Sequence, residues 1–355
     1  MSVPEAVNNV VAKWMKGRGP DDEIVLGSRI RLARNVTKVP FPAAATEEQL
    51  GHVCEIAKSA TADNKFNLDY FAMAHIPQLE RELLVEKHLV SPQQIQNVHH
   101  KAVILRKDEL VSIMVNEEDH LRIQSIYPGF QLDSAWEQCD QVDDVISERL
   151  EYAFSQGLGY LTACPTNVGT GLRASVMMHL PVLSITKQMQ RVIPAVNKLG
   201  LAVRGLYGEG TEAVGSIYQV SNQLTLGHSE QEIIAHLETV ARRIIEQEKE
   251  ARQQILTMGK ARLEDRTYRA LGVLSQARVL SSQEAMQLLS EVWLGVDLGL
   301  IKELDAQILK SLVVLTRAAH LQKVGGKTMD TEERDVYRAE LVREYIRSAL
   351  MDIDA

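Results

Sequence analysis

Residues 101–127 read KAVILRKDELVSIMVNEEDHLRIQSIY, and this stretch decides the class of fold. Three short runs rich in Val, Ile and Leu are separated by two polar turns, which predicts three strands in an antiparallel meander. In the third run Leu121 and Ile123 point to one face and Arg122 to the other. The same alternation occurs upstream. IVL at 24–26 runs into SRIRLAR, where Ile30 and Leu32 interleave with Arg29 and Arg31. LGLAVRGLYG (199–208) reads as a further strand entering a glycine-rich loop. Between these, DQVDDVISERLEYAFSQG (140–157) and the apolar stretch after Ala174 read as helices. Antiparallel strands interspersed with helices predict an α+β fold, an antiparallel β-sheet flanked by helices.

From Ser229 onward the pattern is helical. Ser229 with Glu232 forms a capping box, Ser281 with Glu284 opens another helix, and Asp330 with Glu333 caps a last one running toward Leu350. The chain therefore divides into an α+β part, 1–228, and an all-helical part, 229–355. At the other end Val7, Val10, Val11, Trp14 and Met15 fall at helical spacing, which predicts an amphipathic helix and not a signal peptide. No apolar stretch is long enough to span a bilayer. A net charge of −8 argues against unaided binding to nucleic acid or an anionic membrane, so any bound anion needs a local cluster of cations. Cys54, Cys139 and Cys164 are far apart and form no C-x-x-C pair. That argues against a disulfide framework or a cysteine-built zinc site, and fits a reducing, cytoplasmic compartment.

The familiar nucleotide motifs fail on inspection. GGKT at 325–328 resembles the end of a phosphate-binding loop, but Leu321 stands where its first glycine must be. Gly169, Gly171 and Ala174 fit a loose dinucleotide pattern, which wants an acidic residue downstream for the ribose. From Tyr152 to Gly208 there is none in 57 residues. The same run carries Arg173, Lys187, Arg191, Lys198 and Arg204, which suits a bound polyanion; solvated surface cations are the plain alternative. Arg29 and Arg31, two apart on a strand, share one face at about 6.6–6.8 Å. Such a pair suits neighbouring phosphates, or else a protected edge strand. Carboxylates stand at Glu117, Glu118 and Asp119, at a strand end, and at Glu209 in GLYGEGTE, on a loop suited to fold over a ligand.

Together these segments resemble the ATP:guanido phosphotransferase family, which includes the creatine and arginine kinases. CPTNVGTGLRAS, from Cys164, resembles that family's signature, and SRIRLAR, VNEEDHLRIQS and RGLYGEG resemble its other active-site segments in the same order. The resemblance implies ATP phosphate contacts from Ser28, Arg29, Arg31, Arg122, Arg173 and Arg204, with His88 at the nucleotide's edge. It implies Glu118 as acceptor of a guanidinium proton, Glu209 as the second, positioning carboxylate, and Cys164 as a thiol beside the guanidinium. The chemistry is consistent with those roles. A guanidinium is delocalised and protonated, with a pKa above about 12, so it needs a carboxylate to orient it and take its proton. Phosphoryl transfer otherwise depends on alignment and charge neutralisation. The glycines of the cysteine loop are expected to let backbone pass close to nucleotide and acceptor. The cofactor implied by the resemblance is ATP with Mg²⁺, and with no Asp-rich site visible the metal is expected to be held by ATP and water.

In creatine and arginine kinases a helical domain precedes the SxRxR segment and closes over the small substrate. Here that segment begins at residue 28, and a helical part follows the catalytic one. This layout resembles the protein-arginine kinase branch, which implies arginine side chains of proteins as substrate. It also implies an activator protein (McsA), the ClpC unfoldase with the ClpP protease, a heat-shock repressor (CtsR) and a homodimer. RDVYRA at 334–339 resembles a phosphoarginine-sensing motif, with Arg334 and Arg338 for phosphate and Asp335 for guanidinium; a salt-bridged surface is the alternative. Two other functions remain open: a phosphagen kinase for a free guanidino compound, and a non-catalytic phosphoarginine-binding adaptor.

Overall fold

The computed structural model describes residues 11–62, 66–205 and 213–351. Its strands are β1 (Val25–Arg34), β2 (Leu68–Ala72), β3 (Ala102–Arg106), β4 (Val111–Val115) and β5 (Leu121–Pro128). There follow a two-residue pair, β6 (Phe154–Ser155) and β7 (Gly159–Tyr160), then β8 (Leu172–His179), β9 (Leu201–Gly205) and β10 (Ile217–Asn222). Eight of them form one antiparallel sheet in the order β2-β3-β4-β5-β1-β8-β10-β9. The meander over 101–127 is as expected, β3-β4-β5. The long strand β1 lies between β5 and β8, and this crossover joins segments far apart in sequence.

One face of the sheet buries Ile30, Leu32, Ile123, Ala174, Val176 and Val220. Against it pack α2 (Glu47–Ala60), α4 (Leu132–Ser147) and α7 (Glu230–Met258), which contribute Val53, Cys139, Val142, Ile234, Leu237 and Ile244 to the same core. The capping box foreseen at Ser229 and Glu232 starts α7. Because α7 lies on the sheet, the core runs across residue 228. Beyond it come α8 (Lys260–Gln276), α9 (Ser282–Asp297), α10 (Ala306–Leu315), α11 (Ala318–Gly325) and α12 (Thr331–Met351), and no strand occurs among the described residues after Asn222. Ser281 caps α9, and the backbone N–H groups of Asp330 and Glu333 each donate to the other's carboxylate at the start of α12.

The other face of the sheet is covered in part: Val103, Leu105 and Met114 pack with Met73, Leu83, Leu84 and Leu89, and a short helix covers a second area. The short helix α1 (Lys13–Lys16) places Trp14 and Met15 with Ile126 and Met177 of the sheet and Val314, Leu315 and Leu341 of the helical part. Trp14 Nε1 donates to Lys87 O at 3.1 Å, Lys13 N donates to Glu109 Oε2 at 3.3 Å, and Gln307 Nε2 donates to Met15 O at 3.2 Å. Lys87 and Glu109 form a fully buried ion pair at 3.2 Å. Val7 and Val10, expected on this helix, lie outside the described residues.

Two segments differ from expectation. The stretch after Ala174 begins as strand β8 and turns helical only at Pro181–Ile185 and Met189–Lys198; Ala174–His179 are buried whichever face they point to, which erases the period-two alternation. The helix expected over 140–157 begins at Leu132 and ends at Ser147. Beyond it Tyr152 pairs with Val36, and its hydroxyl donates to Asp143 Oδ1 at 2.9 Å, drawing the chain back to the sheet before the β6–β7 hairpin.

Candidate active site

Period-two alternation sends Arg29 and Arg31 of β1 to the face opposite Ile30 and Leu32. The register does the rest. Arg31 lies opposite Arg173 of β8, Ala33 opposite Arg122 of β5, and Arg204 of β9 opposite Gln219 of β10. All five arginines line one cavity of about 330 Å³, together with Glu118, Cys164, Thr166, Asn167 and Gln219. The convergence that periodicity alone leaves open is therefore real.

These cations are only partly compensated. Arg122 Nη1 donates to Glu117 Oε2 at 2.9 Å, and Arg29 Nη2 donates to Gln219 Oε1 at 2.7 Å. Arg173 Nη2 reaches the Ser221 hydroxyl at 3.3 Å. Arg31 Nε is buried without a hydrogen-bond acceptor among the described residues. Burial, with Arg29, Arg122 and Arg173 beside it, pulls the Arg31 guanidinium well below its ordinary value. Burial and then Arg204 and Arg122 do the same, less strongly, to Arg173. Like charges held out of water repel, and a polyanion in the cavity relieves that repulsion.

Glu118 stands on the β4–β5 hairpin, where Asn116 adopts a left-handed conformation. Burial, with Asp119 and Glu117 adjacent, raises its carboxyl above the ordinary glutamate value, against Arg122 and Arg173. For Glu117 burial acts the same way, but Arg122 and the Ser91 hydroxyl outweigh it and hold the carboxyl low. Asp119 was not singled out by sequence for any role. It is buried, and its Oδ1 accepts from Asn35 Nδ2 at 2.6 Å and from Ala163 N at 2.7 Å. It thus ties the Glu118 hairpin to the residue before Cys164. Cys164 Sγ lies 3.0 Å from Thr166 Oγ1, at the cavity's edge.

The glycines of the cysteine loop make room for the protein's own backbone. A Cβ on Gly169 (φ +112) would sit 2.6 Å from Thr225 O, and one on Gly171 (φ +66) 2.6 Å from Ala33 O. Arg34 fastens the same loop. It donates to Thr170 O at 2.9 Å, pairs with Asp143 at 2.7 Å and lies 3.6 Å over the Tyr160 ring.

A second cavity, about 280 Å³, shares Arg29, Arg31, Arg122 and Gln219 with the first and adds His88, Ser91 and Gln124. Val85, Val90, Pro92 and Met114 give it an apolar wall. His88 sits at a left-handed turn after α3 (Gln78–Glu86), its carbonyl accepting from Gln124 Nε2 at 2.8 Å. Burial first, then Arg29, Arg317 and Arg31, push its imidazole well below the ordinary value, so it is neutral at pH 7. Sequence reasoning missed Gln219 and Arg317 here. Gln219 was findable, since YQV alternates within an unread strand; Arg317 precedes a helix and carries no motif.

Two expected residues stand differently, Ser28 and Arg338. Ser28 points to the opposite face from Arg29, fully buried; its Oγ donates to Gly129 O at 3.0 Å and accepts from Gln131 N at 2.9 Å, so its hydroxyl lines neither cavity. Arg338 is buried, not presented as a phosphate fork. Its Nε donates to Thr316 O at 2.8 Å, and its Nη1 to Leu280 O at 2.7 Å and to Asp335. Arg334 remains partly exposed, donating to Met329 O and the Thr331 hydroxyl. Glu209 lies outside the described residues.

With this geometry in hand, the comparisons with known proteins are specific. The profile of the ATP:guanido phosphotransferase C-terminal catalytic domain matches residues 51–251, and that of the protein-arginine kinase McsB C-terminal domain matches residues 260–353. A protein-arginine kinase of Halothermothrix orenii is 49% identical, covering 97% of this chain and 99% of the relative. One from Symbiobacterium thermophilum is 50% identical, covering 96% and 98%, and one from Bacillus pumilus is 47% identical, covering 98% and 96%. Among solved structures, that of a lombricine kinase superposes with a TM-score of 0.59 at 27% identity, over 73% of this chain and 72% of that one. A guanido-kinase sheet, a five-arginine cavity and full-length relatives agree, and the chain belongs to the ATP:guanido phosphotransferase family, in its protein-arginine kinase branch.

Proposed function

We propose that the chain transfers the γ-phosphoryl group of ATP to a guanidinium nitrogen of arginine side chains in proteins. The observation that carries this reading is the pair of joined cavities. The nucleoside occupies the cavity walled by His88, Val90 and Met114. Its phosphates cross Arg29, Arg31 and Arg122, common to both, and the terminal phosphorus enters the cavity of Glu118 and Cys164. There the substrate nitrogen attacks phosphorus, the bond from phosphorus to the β–γ bridging oxygen breaks, and ADP leaves with that oxygen's electron pair. The proton released from the guanidinium passes to Glu118, whose raised affinity for protons suits a base working on a strongly basic group. Arg173 and Arg204 stabilise charge on the transferring group. Glu209 is proposed as the second carboxylate that fixes the angle of approach, with Cys164 facing the guanidinium.

Among the cavity-lining residues Glu118 is the lone carboxylate, and no cluster of three or more metal-ligating side chains occurs among the described residues. This donor set fits Mg²⁺ brought in on the phosphates of ATP, as part of the substrate, and not a resident ion. By family, phosphorylated proteins would pass to ClpC–ClpP in a cytoplasmic stress response, with an activator and a repressor as partners. Phosphoarginine would be sensed at Arg334 and Asp335, its guanidinium competing with Arg338 for Asp335.

The test is incubation with MgATP and an arginine-rich unfolded protein, followed by mass spectrometry for acid-labile phosphate on arginine. Wild type should label arginine, and Glu118→Ala should not, although it still binds ATP. Label confined to serine or tyrosine, or preferential turnover of free arginine, would sink the proposal.

A further inference from the structure

The helical part reaches into the nucleotide-side cavity at one point. Arg317, directly before α11, lines it together with His88, Arg29 and Arg31. Its placement is built and not incidental. Glu86, at the end of α3 and two residues before His88, accepts from Ala319 N at 2.9 Å, from His320 N at 3.0 Å and from His320 Nδ1 at 2.6 Å. His320 is fully buried and Glu86 nearly so. One carboxylate therefore caps α11 and locks the segment of Arg317 to the segment of His88. Arg317 Nε itself stands 4.0 Å from Glu86 Oε1. On the far side, Thr316 O is held by Arg338 Nε at 2.8 Å.

Charge gives the contact its meaning. Glu86 is engaged by α11, while Arg29, Arg31 and Arg122 face the same space, so a fourth guanidinium is brought to an already cationic cavity. Arg317 meets Glu86 across the seam, and its guanidinium also lines the cavity, where it adds to the attraction for an anionic ligand. We propose that Arg317 is a nucleotide-binding residue, by which the helical part completes the ATP site on the sheet, and that Glu86 is its positioning residue. This rests on the reading that the paired cavities take ATP. The ligand group addressed is phosphate: guanidinium forks match phosphate oxygens, and the purine has the apolar wall of Val85, Val90 and Met114.

The test uses the full chain. Binding of the non-hydrolysable analogue AMP-PNP with Mg²⁺ is titrated calorimetrically for wild type, Arg317→Ala, Arg317→Lys and Glu86→Gln, with thermal melts alongside. Arg317→Ala leaves the bonds of Glu86 to α11 in place and should melt like wild type, yet bind at least about tenfold more weakly. Arg317→Lys should recover part of the loss, and KM for ATP should rise while kcat at saturating ATP changes little. Glu86→Gln should weaken binding in the same direction. Adenosine, as a competitor, should bind wild type and Arg317→Ala equally, because the lost contact is to phosphate. Wild-type binding matched by Arg317→Ala would overturn this inference alone. So would an equal loss for adenosine and AMP-PNP, which marks a structural role. A wild type that binds no AMP-PNP would remove the ATP reading as well.

Discussion

Asp119 offers the sharpest test of how the catalytic cavity is held in shape. Its Oδ1 accepts hydrogen bonds from Asn35 Nδ2 and Ala163 N at 2.6 and 2.7 Å, so one buried atom joins the Glu118 hairpin to the cysteine loop. Hydrogen bonds to a charged group contribute about 1.5–3 kcal/mol each. Asn35 Nδ2 keeps a second acceptor in Leu161 O, whereas Ala163 N has no other partner in the described hydrogen bonds. Asp119→Ala should therefore destabilise the fold by about 3–4 kcal/mol. The kinetic effect should exceed what stability suggests. Displacing a reacting group by about 1 Å costs roughly 100-fold in rate, and here Glu118 and Cys164 lose their common tie. The expected result is a kcat for arginine phosphorylation lowered about 100-fold with KM for ATP within about twofold, since the nucleotide arginines do not depend on it. Asp119→Asn retains an acceptor oxygen and should stay within about tenfold of wild type. Steady-state kinetics with a phosphoarginine readout decides. An alanine variant with wild-type kcat, or alanine and asparagine variants equally inactive, would refute the geometric argument.

Cys164→Ser keeps the loop's shape and should lower kcat about 10- to 100-fold with KM for ATP unchanged, if the thiol faces the substrate guanidinium; unchanged kcat would remove it from the chemistry. The Asp297 carboxyl, buried beside Arg252 at 3.3 Å, is pushed up to about 6, burial outweighing Arg252 and Lys310. The folded protein then holds a proton that the unfolded chain releases near pH 4, so stability falls as pH rises from about 4 to about 6 and levels off above, by about 3 kcal/mol in all. Asp297→Asn should lose that slope, and urea unfolding curves that shift with pH in parallel with wild type would contradict it. Arg338→Ala strands the carbonyls of Thr316 and Leu280 and should loosen α12 by about 2–4 kcal/mol, read as faster amide exchange over residues 331–351. Unchanged exchange would show that Arg338 does not hold the helix.

Sequence disclosed much of the catalytic half because each arginine strand keeps one face in the core and one in the cavity. Ile30 and Leu32 against Arg29 and Arg31, and Leu121 and Ile123 against Arg122, leave clean alternation. Strand β8 has no such asymmetry: Met177 packs toward α1 and Val176 toward α7, so an apolar run reads as a helix. Which arginines meet was not legible, because β1 enters between β5 and β8 by a register that depends on the whole sheet. Ser28 was misplaced for a simpler reason. Its motif is contiguous, but a strand turns adjacent residues to opposite faces. Arg317 and Asp119 act through packing partners distant in sequence, Glu86 and Ala163, which no local pattern announces.

The N-terminal helix also ties together segments made at opposite ends of synthesis. Trp14 bonds to Lys87 and stacks edge-on against His88, with ring centroids 5.8 Å apart, while Met15 O waits for Gln307, 292 residues further on. On a ribosome, α1 is among the first segments made, yet its seat is finished only when α10 and α12 emerge. The contacts of α1 are therefore completed last, although the nucleotide-side cavity draws all of its lining residues but Arg317 from before residue 220. A nascent chain stalled at residue 300 lacks Val314, Leu315 and Leu341 for Trp14 and Met15 to pack against, and comparing its AMP-PNP retention with that of the full chain measures how far the cavity depends on that seat.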